Sequence, residues 1–302
     1  MSRPEVRIYE VGPRDGLQAE ATFVPTEAKL QFISLLADAG LREIEATSFV
    51  RPDKIPPLAD ADALMAGLVR LPGVRYPVLV PNRRGMDRAL AAGVDAICVF
   101  TAASEAYATA NIQMTIDESL AAFTPVVAAA RQRGMWVRAY VSAAFGCPYS
   151  GEVDEREVVA VSDRLLRLGV DELSISDTVG VAVPADLRRV LGALAAAGIG
   201  PDVTALHLHD TRGTGLANVM AGMELGVRAF DASTGGTGGS PYAPGSAGNL
   251  ATEDLVYLLG REGVRTDVDL DGVLAAARFI AEQLGREMTS KVGRAGGWPR
   301  VG

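Results

Sequence analysis

Only three lysines occur among the 302 residues, Lys29, Lys54 and Lys291, and only two cysteines, Cys98 and Cys147. The lysines sit on a helix-like stretch, in a loop and in the C-terminal tail. None falls on a strand-like segment, which argues against a Schiff-base aldolase and a carbamylated-lysine carboxyltransferase. Two cysteines make no disulfide framework. No apolar run approaches the roughly 20 residues of a membrane span, and the opening MSRPEVRIYEVG lacks a signal-peptide core. A formal net charge of −8 with no basic run speaks against nucleic acid. These absences describe a cytoplasmic enzyme with neither nucleic-acid nor membrane partners.

What is present is a repeating pattern. Eight β-like segments recur at 6–12, 43–48, 76–82, 96–102, 136–144, 172–178, 204–210 and 229–235. Amphipathic, Ala- and Leu-rich stretches separate them, among them 26–39, 116–133, 155–168 and 184–197. One junction repeats: an aliphatic helix end, a glycine, a branched residue, then a strand, as in ADAGLREIEATS, LAAGVDAICVFT, LRLGVDELSISD and MELGVRAFDAST. Gly40, Gly93, Gly169 and Gly226 thus occupy positions where a helix ends in left-handed backbone. Eight βα units on a chain 48% hydrophobic favour one closed (β/α)8 TIM barrel, which takes about 250 residues, over an open doubly wound sheet. The expectation is a single domain over 1–302, with a core at about 5–285, an additional C-terminal helix near 267–284, and a loose tail at 286–302.

In such a barrel, chemistry gathers at the carboxyl ends of the strands. Those ends are polar here: Arg14 and Asp15; Glu45, Thr47 and Ser48; Asn82; Tyr140 and Ser142; Ser174, Ser176 and Asp177; His207, His209 and Asp210. His207 and His209 are the only histidines, two apart on one strand, so both imidazoles project from the same face. Such a pair is half of a metal site. It is equally compatible with two histidines that only hydrogen-bond inside the barrel. Asp15, from the neighbouring first strand, is the natural anionic partner, and the amide oxygen of Asn249 can follow from the loop GGTGGSPYAPGSAGN. Two nitrogens and two oxygens suit Mg²⁺, Mn²⁺ or a similar ion, whereas a closed zinc site would show more Cys or His. Asn249 also opens the helix-like NLATEDLVYLL and can cap it. The glycine-rich loop reads as a mobile lid that excludes water.

Several of these segments carry a resemblance. EVGPRDGLQ at 10–18, IEATSFV at 44–50, GCPYSGEV at 146–153, HLHDT at 207–211 and PYAPGSAGNLATEDLVYLL at 241–259 resemble the 3-hydroxy-3-methylglutaryl-CoA lyase family of metal-dependent barrels, over residues 5 to 285. The resemblance implies Asp15, His207, His209 and Asn249 as metal ligands, with Arg14 and Glu45 completing an Arg–Asp–Glu signature. It adds Gln18, Tyr140 and Asp177 to the active site, and Ser48 is read with Gln18 and Tyr140 as substrate-binding. The implied reaction is a divalent-metal-dependent retro-Claisen cleavage of 3-hydroxy-3-methylglutaryl-CoA to acetyl-CoA and acetoacetate. The metal lowers the pKa of the substrate hydroxyl, Asp15 or His207 takes the proton, Glu45 or Asp177 relays it, and Arg14 stabilises the enolate oxygen. A homodimer or homotetramer is implied as well.

The chain departs from that family at two places. The family's GGCPY, whose cysteine serves as acid or base, is GGSPY here, with Ser240 in its place. A thiol titrates near about pH 8.5 and a hydroxyl is a far weaker acid. Slower cleavage, another proton donor or another substrate would follow, and Cys147 is a conceivable substitute donor. DTRGTG replaces DTYGQ, so Arg212 either adds a cation near the metal or lies on the surface. Coenzyme A contacts are weakly written, with Asn82, Arg83, Arg84 and Asn111 near the mouth. Two alternatives stand beside the main reading. One is a related lyase or Claisen-type synthase for a different 3-hydroxy-3-carboxyalkyl-CoA; the other is a catalytically weakened metal-binding barrel with a binding role.

Overall fold

Glycine-ended helices feed a ring of parallel strands in the computed structural model, which describes residues 5–238 and 248–297. The strands are β1 (Arg7–Glu10), β2 (Glu43–Ile44), β3 (Thr47–Ser48), β4 (Val78–Leu79), β5 (Ala96–Ala102), β6 (Trp136–Ser142), β7 (Glu172–Asp177), β8 (Thr204–Leu208) and β9 (Ala229–Ala232). They lie in the order β2-β1-β9-β8-β7-β6-β5-β4-β3, every named pair parallel. The expected second strand is split into β2, laddered to β1, and β3, laddered to β4, with residues 45 and 46 between them. Glu45 N–H donates to Glu10 O at 2.9 Å and Ala46 N–H donates to Pro77 O at 2.9 Å. That single segment therefore joins both edges and closes the TIM barrel.

The expected strand at 76–82 shrinks to β4, since Pro77 and Pro81 bracket it and supply no N–H to the ladder. Helices α1 (Thr26–Asp38), α2 (Ala61–Gly67), α3 (Arg83–Ala91), α4 (Glu105–Ile112), α5 (Ile116–Arg131), α6 (Glu155–Leu168), α7 (Pro184–Ala196), α8 (Gly215–Glu224), α9 (Thr252–Arg261), α10 (Leu270–Leu284) and α11 (Lys291–Ala295) surround the ring. Their starts follow local chemistry. Thr115 and Glu118 form a reciprocal capping box on α5, Asp154 accepts from Arg156 N on α6, and Pro184 opens α7. Gly40, Gly93, Gly169 and Gly226 all have positive φ. Outward strand residues such as Ile44, Val99 and Ile175 pack on Phe32, Leu36 and Leu165 of the helices in one buried cluster. No helix among the described residues is long and apolar enough to cross a membrane.

The tail differs from the loose segment expected. Over residues 286–297 it folds back, with Asp254 accepting the Lys291 and Val292 amides at 3.1 and 2.7 Å and Glu253 accepting from Ser290 Oγ at 2.5 Å. Buried acceptors at the start of α9 explain the order, because each would be costly left unpaired.

Candidate active site

The first strand ends in a tight helical turn over Gly12–Gly16, which carries Arg14 and Asp15 to the barrel mouth. Arg14 is buried, and three of its nitrogens face carboxylates. Nη1 donates to Asp15 Oδ1 at 2.6 Å, Nη2 donates to Glu45 Oε2 at 3.0 Å, and Nε lies 2.9 Å from Glu45 Oε1. Its guanidinium also lies over the Tyr140 ring, 5.2 Å from the centroid. Tyr140 in turn donates its hydroxyl to Glu45 Oε2 at 2.5 Å. Burial and the neighbouring Glu45 charge push the Tyr140 phenol well above its ordinary value, so it stays a donor.

Beside this cluster the two imidazoles of β8 converge. His207 Nε2 and His209 Nε2 lie 3.2 Å apart, a spacing that admits at most one hydrogen between them. Burial and the adjacent His207 lower the His209 pKa to about 3, with Asp15 opposing, so its ring is neutral at neutral pH. Burial raises the Asp15 carboxyl, but Arg14, His207 and the Asn249 amide outweigh it and bring the pKa to about 2. Asn249 Nδ2 donates to Asp15 Oδ2 at 2.9 Å and to Thr237 O at 3.1 Å, while its buried Oδ1 has no hydrogen-bond partner among the described residues. Asp15, His207 and His209 each bring a ligand atom to within 4.8 Å of the others. An ionised carboxylate, two imidazole rings and an orphaned amide oxygen are a donor set that fits a divalent cation. The bridge between His209 and Asn249 holds the loop's far root against β8. At the near root, Gly238 has φ +87°, and a Cβ there would come within 2.7 Å of Asn249 Nδ2.

The chain also supplies partners that inspection of strand ends overlooks. Asp231 on β9 is register-paired with His207, and its Oδ2 lies 3.1 Å from His207 Nδ1. Arg138 on β6 donates to both Asp231 oxygens and to Glu172, with its guanidinium 3.9 Å from the Tyr9 ring centroid. Burial raises the Asp231 carboxyl, yet Arg138 and His207 hold it below the ordinary range. A charge inside a strand, in WVRAYVS and AFDA, was the available clue.

A cavity of about 600 Å³ opens from this centre. Asp15, His207 and His209 lie at its inner end, Gln18, Tyr140 and Ser142 on its wall, and Asn82, Asn111 and Lys54 further out. Gln18 Oε1 is buried without a partner among the described residues.

Other expected site residues fall elsewhere. Asp177 pairs in register with Leu208, on the sheet face opposite His207, and its two oxygens accept the Val181 and Ala182 amides at 3.0 and 3.1 Å. It therefore closes the turn after β7 and is not positioned to relay a proton. Burial, against those amides, raises its pKa to about 6. Gly180 in that turn has φ +64°, and a Cβ there would lie 3.1 Å from His209 Cβ, so the turn backs His209. Ser48 accepts from Val50 N at 3.3 Å and does not line the cavity. Asn249 does not cap a helix, since α9 begins at Thr252 with Ala251 at its cap. Cys147 also stands off the cavity, its Sγ accepting from Ser104 Oγ at 3.1 Å. Arg212 is exposed and donates to Val179 O and Gly180 O at 3.0 and 2.8 Å, which turns its charge toward carbonyls. Ser240, and with it most of the expected lid, lies outside the described residues.

Residues 5–280 match the family model described as HMGL-like. The cytoplasmic 3-hydroxy-3-methylglutaryl-CoA lyase of Rattus norvegicus is 46% identical over 290 residues, 96% of this chain and 84% of that protein. The crystal structure of hydroxymethylglutaryl-CoA lyase from Pseudomonas aeruginosa superposes with TM-score 0.94 at 42% identity, covering 98% of each chain. An HMG-CoA lyase from Acinetobacter baumannii, solved in complex with coenzyme A and 3-methylmalate, gives TM-score 0.92 at 38% identity, covering 98% of this chain and 97% of that one.

Proposed function

The chain belongs to the HMGL-like family, and on that footing we propose that it cleaves 3-hydroxy-3-methylglutaryl-CoA to acetyl-CoA and acetoacetate. The observation that carries the reading is the meeting of Asp15, His207, His209 and Asn249 beside the Arg14–Glu45 pair at the inner end of a deep cavity. The family is metal-dependent, and Asp15, His207, His209 and Asn249 Oδ1 would hold the ion, Mg²⁺ or Mn²⁺. When bound, that ion acts as a Lewis acid on the substrate's hydroxyl and acyl oxygens.

The chain's own residues divide the remaining work. Asp15, ionised far below neutral pH, is the group at the centre able to take the hydroxyl proton. Glu45, accepting from Arg14 and Tyr140, holds the guanidinium in place beside Asp15. Arg14 keeps a permanent planar cation where the enolate oxygen develops. The partnerless Gln18 Oε1 orients the substrate from the cavity wall. The thioester's coenzyme A arm runs outward past Lys54, Asn82 and Asn111, in keeping with the coenzyme A complex of the Acinetobacter relative. A cytoplasmic location and a homo-oligomer complete the proposal, the first supported by the rat relative's name.

A coupled assay for acetoacetate and acetyl-CoA, with Mg²⁺ or Mn²⁺ supplied, tests the reading. Cleavage of a related 3-hydroxy-3-carboxyalkyl-CoA but not of the 3-methylglutaryl thioester would move the chain to the neighbouring specificity that Ser240 raises. Metal binding with no cleavage of either would leave a binding barrel.

A further inference from the structure

We propose that Asp231, clamped by Arg138 and Ser174, is the positioning residue that fixes His207 with its proton on Nδ1 and its Nε2 lone pair turned into the site. The inference rests on the reading of His207 as a metal ligand and goes beyond it, to how the barrel prepares that ligand.

Asp231 is fully buried and all its partners are donors. Arg138 Nη1 reaches Oδ2 at 3.0 Å, Arg138 Nη2 reaches Oδ1, and Ser174 Oγ donates to Oδ2 at 3.0 Å. An ionised carboxylate only accepts hydrogen bonds, so the 3.1 Å contact with His207 needs its hydrogen on Nδ1. With that hydrogen on Nδ1, Nε2 is the nitrogen left to face the site. A carboxylate behind a metal-bound histidine orients the ring and raises its basicity.

The clamp itself cannot drift. Arg138 has no exposed surface, holds Glu172 at 2.9 Å, and lies over the Tyr9 and Tyr140 rings at 3.9 and 5.1 Å from their centroids. Its Nη1 also donates to Tyr140 Oη at 3.3 Å, and Tyr140 donates onward to Glu45, the partner of Arg14. The histidine on β8 and the arginine that faces the developing oxyanion are thereby tied through one buried polar chain across the barrel. A displacement of Asp231 reaches both.

Long-range ¹H–¹⁵N correlation spectra of the whole metal-free chain test this directly, because only two imidazoles contribute. The expected result is His207 protonated on Nδ1, both before and after Mg²⁺ is added. A His207 protonated on Nε2 overturns the proposal, and the wild-type measurement needs no variant to fold. The companion measurement is Mn²⁺ affinity by EPR titration. Asp231→Asn is expected to raise the dissociation constant about 10- to 100-fold. Asp231→Asn combined with Arg138→Gln, which removes both buried charges, is expected to show the same loss even where the single variant folds poorly. Wild-type affinity in a folded Asp231→Asn chain overturns the positioning role while leaving the metal reading intact. A wild-type chain that binds neither ion overturns the metal reading, and the proposal with it.

Discussion

Arg14 and Glu45, separated by 31 positions in the chain, meet through the arginine's Nη2 and Nε at 3.0 and 2.9 Å, while Nη1 reaches Asp15. The geometry uses the guanidinium as a planar fork spread between two carboxylates. A lysine ammonium is a point charge and cannot serve all three contacts.

Arg14→Lys is therefore expected to lower kcat by about 10²- to 10³-fold, the range for losing one preorganised oxyanion donor. The retained positive charge keeps Glu45 from being stranded, so the fold should survive. Arg14→Ala is expected to cost a further 3–5 kcal/mol of stability, on the order found when a buried pair loses one member. Turnover in the acetoacetate assay and urea unfolding separate the two effects. A lysine variant within about threefold of wild type would remove Arg14 from the chemistry.

Much of this centre was legible because period-two alternation and strand-end placement are local properties. The HLH spacing put both imidazoles on one face, and the recurrent glycine after each helix marked where the next strand began. Register is different, since it is decided by neighbours far away in the chain. Nothing near Asp231 says that it faces His207, and nothing near Asp177 says that it points to the helix layer. Both are aspartates close to a strand end, and only the pairing of β7, β8 and β9 distinguishes them. The broken second strand was hidden for the same reason. Residues 43–48 read as one strand, and only the ladders show its first part paired with β1 and its last with β4.

Asn249 holds two roles that substitution can part. Its Nδ2 steadies Asp15, and its orphaned Oδ1 would be the fourth donor of the proposed metal set. Asn249→Ala removes both, and the Mn²⁺ dissociation constant is expected to rise about 10- to 100-fold. Asn249→Asp keeps an oxygen ligand but sets two carboxylates side by side, which destabilises the metal-free chain and favours a cation between them. It should retain Mn²⁺ binding. Equal loss in both variants, measured by calorimetric titration, would show that the amide hydrogen bond to Asp15 is what matters.

Ser240 invites the opposite kind of change. A thiol is a competent acid near about pH 8.5, whereas an aliphatic hydroxyl passes a proton only within a relay. Ser240→Cys is nearly isosteric, so melting behaviour should be unchanged while kcat for acetoacetate formation rises and KM stays put. An unchanged or lower kcat would mean that a different donor completes the cleavage in this chain.

Glu253 links the tail to pH. Its buried carboxyl accepts the Ser290 hydroxyl and the Gly235 amide, and burial raises its pKa from 4.5 to about 7 despite those bonds. A carboxyl with a raised folded-state pKa favours the fold fully below its unfolded value, and that contribution is lost as pH rises through the folded value. Stability from this group should thus decline between pH 4.5 and about 7, by on the order of 3 kcal/mol. Asp177, raised to about 6, acts with the same sign, whereas Asp15, lowered to about 2, acts only in stronger acid. The absolute profile therefore mixes groups, and the comparison that isolates Glu253 is with Glu253→Gln, which stays neutral throughout. Urea unfolding across that window should show a shallower decline in the variant. Identical slopes would place the titrating carboxyl elsewhere, and Glu253 would then be held in its charged form by the Ser290 and Gly235 donors.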